Sequence, residues 1–130
     1  MKLTYLQKDI TTIDRGIILH GCNCQGVMGS GVAKALRDKW PQIFLPYEGL
    51  CHAFRNKQHL LLGNVCFVDI DNQLVIGNMF TQQYYGKDGK VYADIFAIVN
   101  GIEKTITSVL VSKMKLPVYM PKIGCGLGLS

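Results

Sequence analysis

Apolar residues along this chain fall into short continuous or alternating runs and into longer stretches with helical spacing. Residues 3–7 alternate and predict a first strand, closed by Lys8-Asp9-Ile10-Thr11. Residues 16–22, centred on Ile17-Ile18-Leu19, are apolar enough for a buried strand. The period then changes. Over 32–40 the apolar positions are Val32, Ala33, Leu36 and Trp40, with polar Lys34, Arg37, Asp38 and Lys39 between them, which predicts a helix. Pro41 punctuates it, and a second helical stretch is expected over 42–55. Residues 64–70 and 73–80 are rich in β-formers, and Asp71-Asn72 between them is a hairpin signal. Gly86-Lys87-Asp88-Gly89 predicts a loop. Residues 92–113 predict one long amphipathic helix, with Ile95, Ile98, Val99, Ile102, Ile106 and Val109 on its buried face. A short strand over 116–120 then opens into Pro121-Lys122-Ile123-Gly124-Cys125-Gly126-Leu127-Gly128. Strands alternating with helices predict an α/β layer order. A chain of 130 residues supports one domain with a single core.

Composition narrows the class. No run approaches the roughly 18 uninterrupted apolar residues of a membrane span. The start, Met1-Lys2-Leu3-Thr4-Tyr5, lacks the apolar stretch and cleavage site of a signal peptide, so a cytoplasmic location is expected. The 5 cysteines are odd in number and irregularly spaced, which predicts reduced thiols rather than a disulfide framework. A net charge of +5 suits a phosphate-bearing ligand, but the lysines are scattered, and surface solvation accounts for them equally well.

Residues 20–36 carry the densest chemistry. An apolar strand reaches a polar corner at Asn23, passes through Gly26, Gly29 and Gly31, and enters a helix at Val32. Such a loop lets backbone approach an anion closely, at a helix terminus with unpaired N–H groups. It is neither of the two commonest phosphate loops. Lys34 stands where a dinucleotide fingerprint needs its third glycine, and Val32 stands where a P-loop needs lysine. The Gly124–Gly128 loop also leaves a strand, so both loops are expected to line one cleft at the carboxyl ends of the sheet. His20 is a candidate general acid or base, with a buried histidine satisfied by a backbone carbonyl as the competing reading. In a regular strand His20 and Asn23 face opposite sides, so both reach a ligand only if the strand ends between them. Cys22, Cys24, His20, Cys51 and His52 lack the paired-knuckle spacing of a zinc site, so small buried thiols are expected and no metal. No cysteine has an arginine placed to bracket a phosphate with it. Tyr84, Tyr85 and Tyr92 are candidates either to cover the ligand or to shield the hairpin.

In these segments the chain resembles the macro domain family, which binds ADP-ribose. Lys8-Asp9-Ile10-Thr11 is similar to its opening motif, Asn23 with Gly29-Ser30-Gly31-Val32-Ala33 to its first phosphate loop, and Pro121 to Leu127 to its second. His20-Gly21-Cys22-Asn23 and Phe80-Thr81-Gln82 resemble one branch most. That branch holds the ADP-ribose-1''-phosphate phosphatases, the phage Appr-1-p processing proteins and the terminal ADP-ribose glutamate hydrolases. The resemblance implies a three-layer α/β/α fold with a mixed sheet, here lacking the family's C-terminal helix and strand. It implies that Asp9 accepts from the adenine amine, that Asn23 holds the distal ribose, and that the glycine loops hold the diphosphate. The ligand-binding set it implies is Asp9, Ile10, Cys22, Asn23, Gly29, Ser30, Gly31, Val32, Thr81, Gln82, Ile123, Gly124, Cys125, Gly126 and Leu127, with His20 and Asn23 as catalytic residues. Gln82 and Gly128 stand where the glutamate hydrolases carry a lysine and an acid, which argues against a covalent route.

The expected function is therefore hydrolysis of ADP-ribose-1''-phosphate, or of another 1''-substituted ADP-ribose, without metal or cofactor. The alternative is an ADP-ribose-binding module without turnover, and a remnant dependent on a partner chain is a third reading. Expected partners are the nucleotide itself or ADP-ribosylated macromolecules, and no membrane. The strand over 116–120 would lack its usual neighbour, so self-association through that edge, or low stability with weak adenine affinity, is expected.

Overall fold

The computed structural model describes residues 8–85, 94–108 and 115–121. Four strands, β1 (Gly16–Asn23), β2 (Val65–Asp69), β3 (Leu74–Gln82) and β4 (Val118–Tyr119), form one sheet in the order β2-β3-β1-β4. The sheet is mixed: β1 runs parallel to β3 and β4, and β2 runs antiparallel to β3. Helices α1 (Gly31–Lys39), α2 (Phe44–Ala53) and α3 (Ile95–Ile106) flank it.

The two central strands are buried almost throughout, which is why β1 and β3 read as apolar runs rather than as alternation. From one sheet face Ile18, Cys22, Ile76 and Phe80 pack with Leu36 of α1, the turn residue Ile43, and Tyr47 and Cys51 of α2. On the opposite face α3 lies against β3 so closely that a Cβ on Gly101 would fall 2.2 Å from Met79 Sδ. That gives the α/β/α layer order. The hairpin forms where Asp71-Asn72 predicts it, with Asp71 Oδ1 accepting from the N–H groups of Gln73 and Leu74, each at 2.9 Å.

Several expectations change. The second helical stretch is split, with a 3-10 turn over Pro41–Ile43 before α2 begins. The strand expected over 116–120 is the two-residue β4. The expected helix over 92–113 is shorter. It starts at Ile95, where the Asp94 carboxylate accepts from Phe96 and Ala97 N–H, and it stops at Ile106. At its end Thr105, Thr107 and Ser108 turn their hydroxyls back onto carbonyls, a competing use of the backbone that disfavours further turns. Its buried face also differs. Ala97, Gly101 and Thr105 face the sheet, whereas Ile95, Phe96 and Val99 are 51%, 78% and 48% exposed. Close approach to Met79 selects small residues there; of the expected face Ile98, Ile102 and Ile106 stay half-buried beside them, while Ile95 and Val99 turn toward solvent. The expected strand over 3–7, the loop over 86–89 and the second glycine loop lie outside the described residues.

Candidate functional site

The polar corner at the end of β1 is built from three inputs. The ladder between β1 and β3 slips there: Cys22 pairs with Phe80 but Asn23 pairs with Gln82, leaving Thr81 as the extra residue. Asn23 is delivered to the α2 side of the sheet, where the Tyr47 hydroxyl meets its Oδ1 at 2.7 Å. The Asn23 amide then wires the following turn, accepting from Gln25 N–H at 2.9 Å and donating to the Val27 carbonyl at 2.8 Å. Both Oδ1 lone pairs and one of two N–H protons are thereby used. Asn23, 9% exposed, has a single side-chain N–H left, so any further hydrogen bond from its carboxamide is as a donor.

Beyond the turn the chain leaves the core. Gly29, Ser30, Gly31 and Val32 are exposed. Ser30 sits in extended backbone at the start of α1 but makes no side-chain cap. The N–H groups of Gly31, Val32 and Ala33 meet no acceptor among the described residues, the first helical bond across this end being Lys34 N–H to the Ser30 carbonyl at 3.3 Å. Gly31 has φ +64°, and nothing lies within 4 Å of where its Cβ would be. A residue with a side chain would be strained there and would fill that space. The result is an open, uncapped helix N-terminus with the electrostatics of an anion cradle.

Asp9 lies exposed at the start of the Ile10–Thr12 turn, its Oδ1 accepting from Thr11 N–H and Thr11 hydroxyl at 2.9 and 2.8 Å. The backbone bond from Thr11 holds its carboxyl below the ordinary value. Lys39 at the end of α1 donates to the Thr11 carbonyl and ties this turn to the helix. Ile10 is half-buried against the core, and Gln82 is half-exposed beside Asn23. Tyr84 and Tyr85, each 55% exposed, follow directly after β3. Residues Ile123, Gly124, Cys125, Gly126 and Leu127, together with Tyr92, lie outside the described residues.

The side chains of three expected site residues are buried. His20 is 0% exposed, its Nε2 2.6 Å from Asn78 Oδ1. Asn78 Nδ2 donates to the Ile43 carbonyl at 3.0 Å, so Oδ1 faces His20 as an acceptor and Nε2 carries the proton. Burial pushes the imidazole down to about 4, against the bond to Asn78, which pulls it up. The neutral ring sealed in the core ties β1 to β3, and Asn78 carries the link on to the turn at Ile43. Cys22 is also a core residue, with Sγ 3.7 and 3.8 Å from the two His20 ring nitrogens. Thr81, the extra residue at the bulge, is 1% exposed.

Cys22, Cys24, Cys51 and Cys66 are free and buried, and burial pushes all four thiols up, Cys24 to about 12. Among the described residues no cluster of three or more His, Cys, Asp or Glu is arranged to hold a metal, and no helix is long and apolar enough to cross a membrane. Sequence reasoning missed Tyr47, Asn78 and the amide cluster in which Gln58 Oε1 accepts from Gln25 at 2.8 Å and from Gln83 at 3.1 Å. Asn78 left one sign, an amide inside an apolar strand. Tyr47 left another, a hydroxyl on the stripe Phe44-Tyr47-Cys51 that must find a partner. A concavity of about 610 Å³ lies on the outer side of the turn, bounded by Gln25, Glu48, Cys51, Arg55 and Gln58, and is separate from the Gly29–Gly31 cradle.

No protein-family model matches the chain. Over 128 aligned residues it is 32% identical to the ADP-ribose 1''-phosphate phosphatase of Scheffersomyces stipitis, an alignment covering 85% of this chain and 74% of that protein. It is 26% identical over 129 residues to the DNA ADP-ribosyl glycohydrolase of Mycobacterium tuberculosis; that alignment takes in 97% of this chain but 34% of the relative, so the chain spans about a third of that protein. Among solved structures, a macrodomain protein from Streptomyces coelicolor superposes with a TM-score of 0.71 at 25% identity, over 90% of this chain and 76% of that one.

Proposed function

This chain belongs to the macro domain family, and from that premise we propose that it binds ADP-ribose and hydrolyses a 1''-substituent from it, the 1''-phosphate in the first instance. The observation that carries the reading is the exposed, uncapped N-terminus of α1, where Gly31 leaves a space the size of a side chain empty. The N–H groups of Gly29 to Val32 would hold the diphosphate, pre-organised by the fold. The remaining N–H of Asn23 would donate to a hydroxyl of the distal ribose, and the Asp9 carboxylate would accept from adenine. By the resemblance, Ile123 to Leu127, outside the described residues, would add a second loop to the diphosphate site. With His20 in the core, the proton of the attacking water passes to the substrate's own phosphate oxygens. No metal enters this scheme.

The burial of His20 favours a second reading, ADP-ribose binding without turnover. Incubating the protein with ADP-ribose-1''-phosphate and with ADP-ribose, while following free phosphate and binding heat, separates the two. Phosphate release that persists in EDTA supports the hydrolase; heat with both ligands and no phosphate supports the binding module; no heat with either ligand refutes both. The same cradle would take the ADP-ribosyl group of a modified macromolecule, which competition with free ADP-ribose reads. Self-association through β4, paired only with β1 among the described residues, is a further element of the proposal, checked by sedimentation at several concentrations. Of the described residues, four cysteines are free and buried, which fits the cytoplasmic setting that is part of this proposal.

A further inference from the structure

We propose that Tyr47 is a positioning residue for the nucleotide site: its hydroxyl fixes which way the Asn23 carboxamide faces and how the 23–27 turn closes. The inference rests on the reading of Asn23 as a ligand-binding residue. Tyr47 is 0% exposed, its ring stacked on Phe80 with centroids 5.7 Å apart and tilted against Phe44 at 6.1 Å. A phenyl ring would satisfy all of that packing. The hydroxyl does something else. It points at Asn23, 2.7 Å from Oδ1 and 2.9 Å from the carbonyl, and it accepts the Val27 N–H at 3.1 Å. One oxygen atom therefore grips both ends of the turn that leads into the glycine cradle.

The consequence follows from counting donors and acceptors. While Tyr47 and Gln25 occupy Oδ1 and Val27 occupies one N–H, Asn23 can offer a ligand only a donor. Without the Tyr47 hydroxyl one lone pair is released, Val27 N–H loses its partner, and the carboxamide gains a second orientation that presents an acceptor. A ribose hydroxyl then meets a mixture of the two. Burial pushes the Tyr47 hydroxyl well above its ordinary range, so its proton stays in place at neutral pH.

Tyr47→Phe removes the hydroxyl and keeps the ring. In ligand-free protein, hydrogen exchange at Val27 N–H is expected to speed up about fivefold or more, the equivalent of one buried hydrogen bond, and the Asn23 side-chain amide resonances to shift or broaden. Unchanged exchange and resonances overturn the proposal, whatever the protein binds. With ADP-ribose as probe, calorimetric titration of the parent, Tyr47→Phe, Asn23→Ala and the double variant closes a cycle. Acting through Asn23, Tyr47→Phe weakens binding about fivefold in the parent and less than about twofold in the Asn23→Ala background. Equal weakening in both backgrounds overturns the claim that Tyr47 acts by orienting the Asn23 carboxamide, because an effect through the turn or through packing alone predicts that. A parent protein that binds no ADP-ribose refutes the nucleotide reading instead, and the exchange measurement then decides on Tyr47 by itself.

Discussion

His20→Gln tests the assignment of His20 to the core. The histidine sits at 0% exposure with its ring donating to Asn78, and burial lowers it from 6.5 to about 4. Between those two values the unfolded chain binds a proton that the folded chain refuses. The contribution is therefore fully present above pH 6.5 and is lost as pH falls toward 4. At about 1.4 kcal/mol per pH unit, the loss amounts to about 3 kcal/mol, a large fraction of the stability of a small domain. Glutamine retains an amide N–H for Asn78 and cannot titrate, while the exposed His52 and His59 are common to both proteins. Urea unfolding at pH 7, 6, 5 and 4 should show the parent losing about 3 kcal/mol more than the variant. Parallel curves, or a parent that gains stability on acidification, would refute a buried neutral imidazole. Phosphate release measured on the folded variant supplies a second arm. Turnover that vanishes in His20→Gln, with its unfolding midpoint kept, would return His20 to the reaction.

Gly31→Val should cost the fold only backbone strain, about 1–2 kcal/mol, because no atom crowds its Cβ, yet should abolish ADP-ribose binding; parent-like affinity by titration would misplace the cradle. Gly101→Ala should destabilise by about 1–3 kcal/mol in urea, since its Cβ would fall 2.2 Å from Met79 Sδ, and this outweighs the helix propensity gained. Iodoacetamide should spare Cys22, Cys24, Cys51 and Cys66 in native protein and label them after denaturation, read by mass spectrometry. Inosine diphosphate ribose should bind more weakly than ADP-ribose, because its base turns an acceptor toward Asp9; equal affinities would remove that role from the carboxylate.

The order of elements was legible because their periods differ. Ile17 to Leu19 read as a buried strand, residues 73–80 as a β-rich arm of a hairpin, and Val32 to Trp40 as a helix with one apolar face, and each forms as read. Asp71-Asn72 marked its hairpin through the carboxylate that closes it. The glycine-rich exit from β1 was equally legible, since a left-handed φ at Gly26 and Gly31 needs glycine whatever surrounds it. These are local properties, decided within a few residues of chain.

Tertiary packing decided the rest. Nothing near His20 in the chain says that Asn78, 58 residues away, will claim its proton, or that the same contact will seal it from solvent. Asn23 read correctly as the polar corner, but its donor character comes from Tyr47, 24 residues on, and from a ladder slip that leaves Thr81 over. The isoleucine stripe placed the buried side of α3 only in part, with Ile98, Ile102 and Ile106 half-buried at its margin: which residues reach the sheet depends on how near β3 comes, and Gly101 lets it come nearer than isoleucine would allow. Local pattern specified what each segment becomes, through backbone conformational preference and the period of apolar positions. Which polar groups are spent in the core, and which remain for a ligand, was set by distances between segments that the one-dimensional chain does not contain.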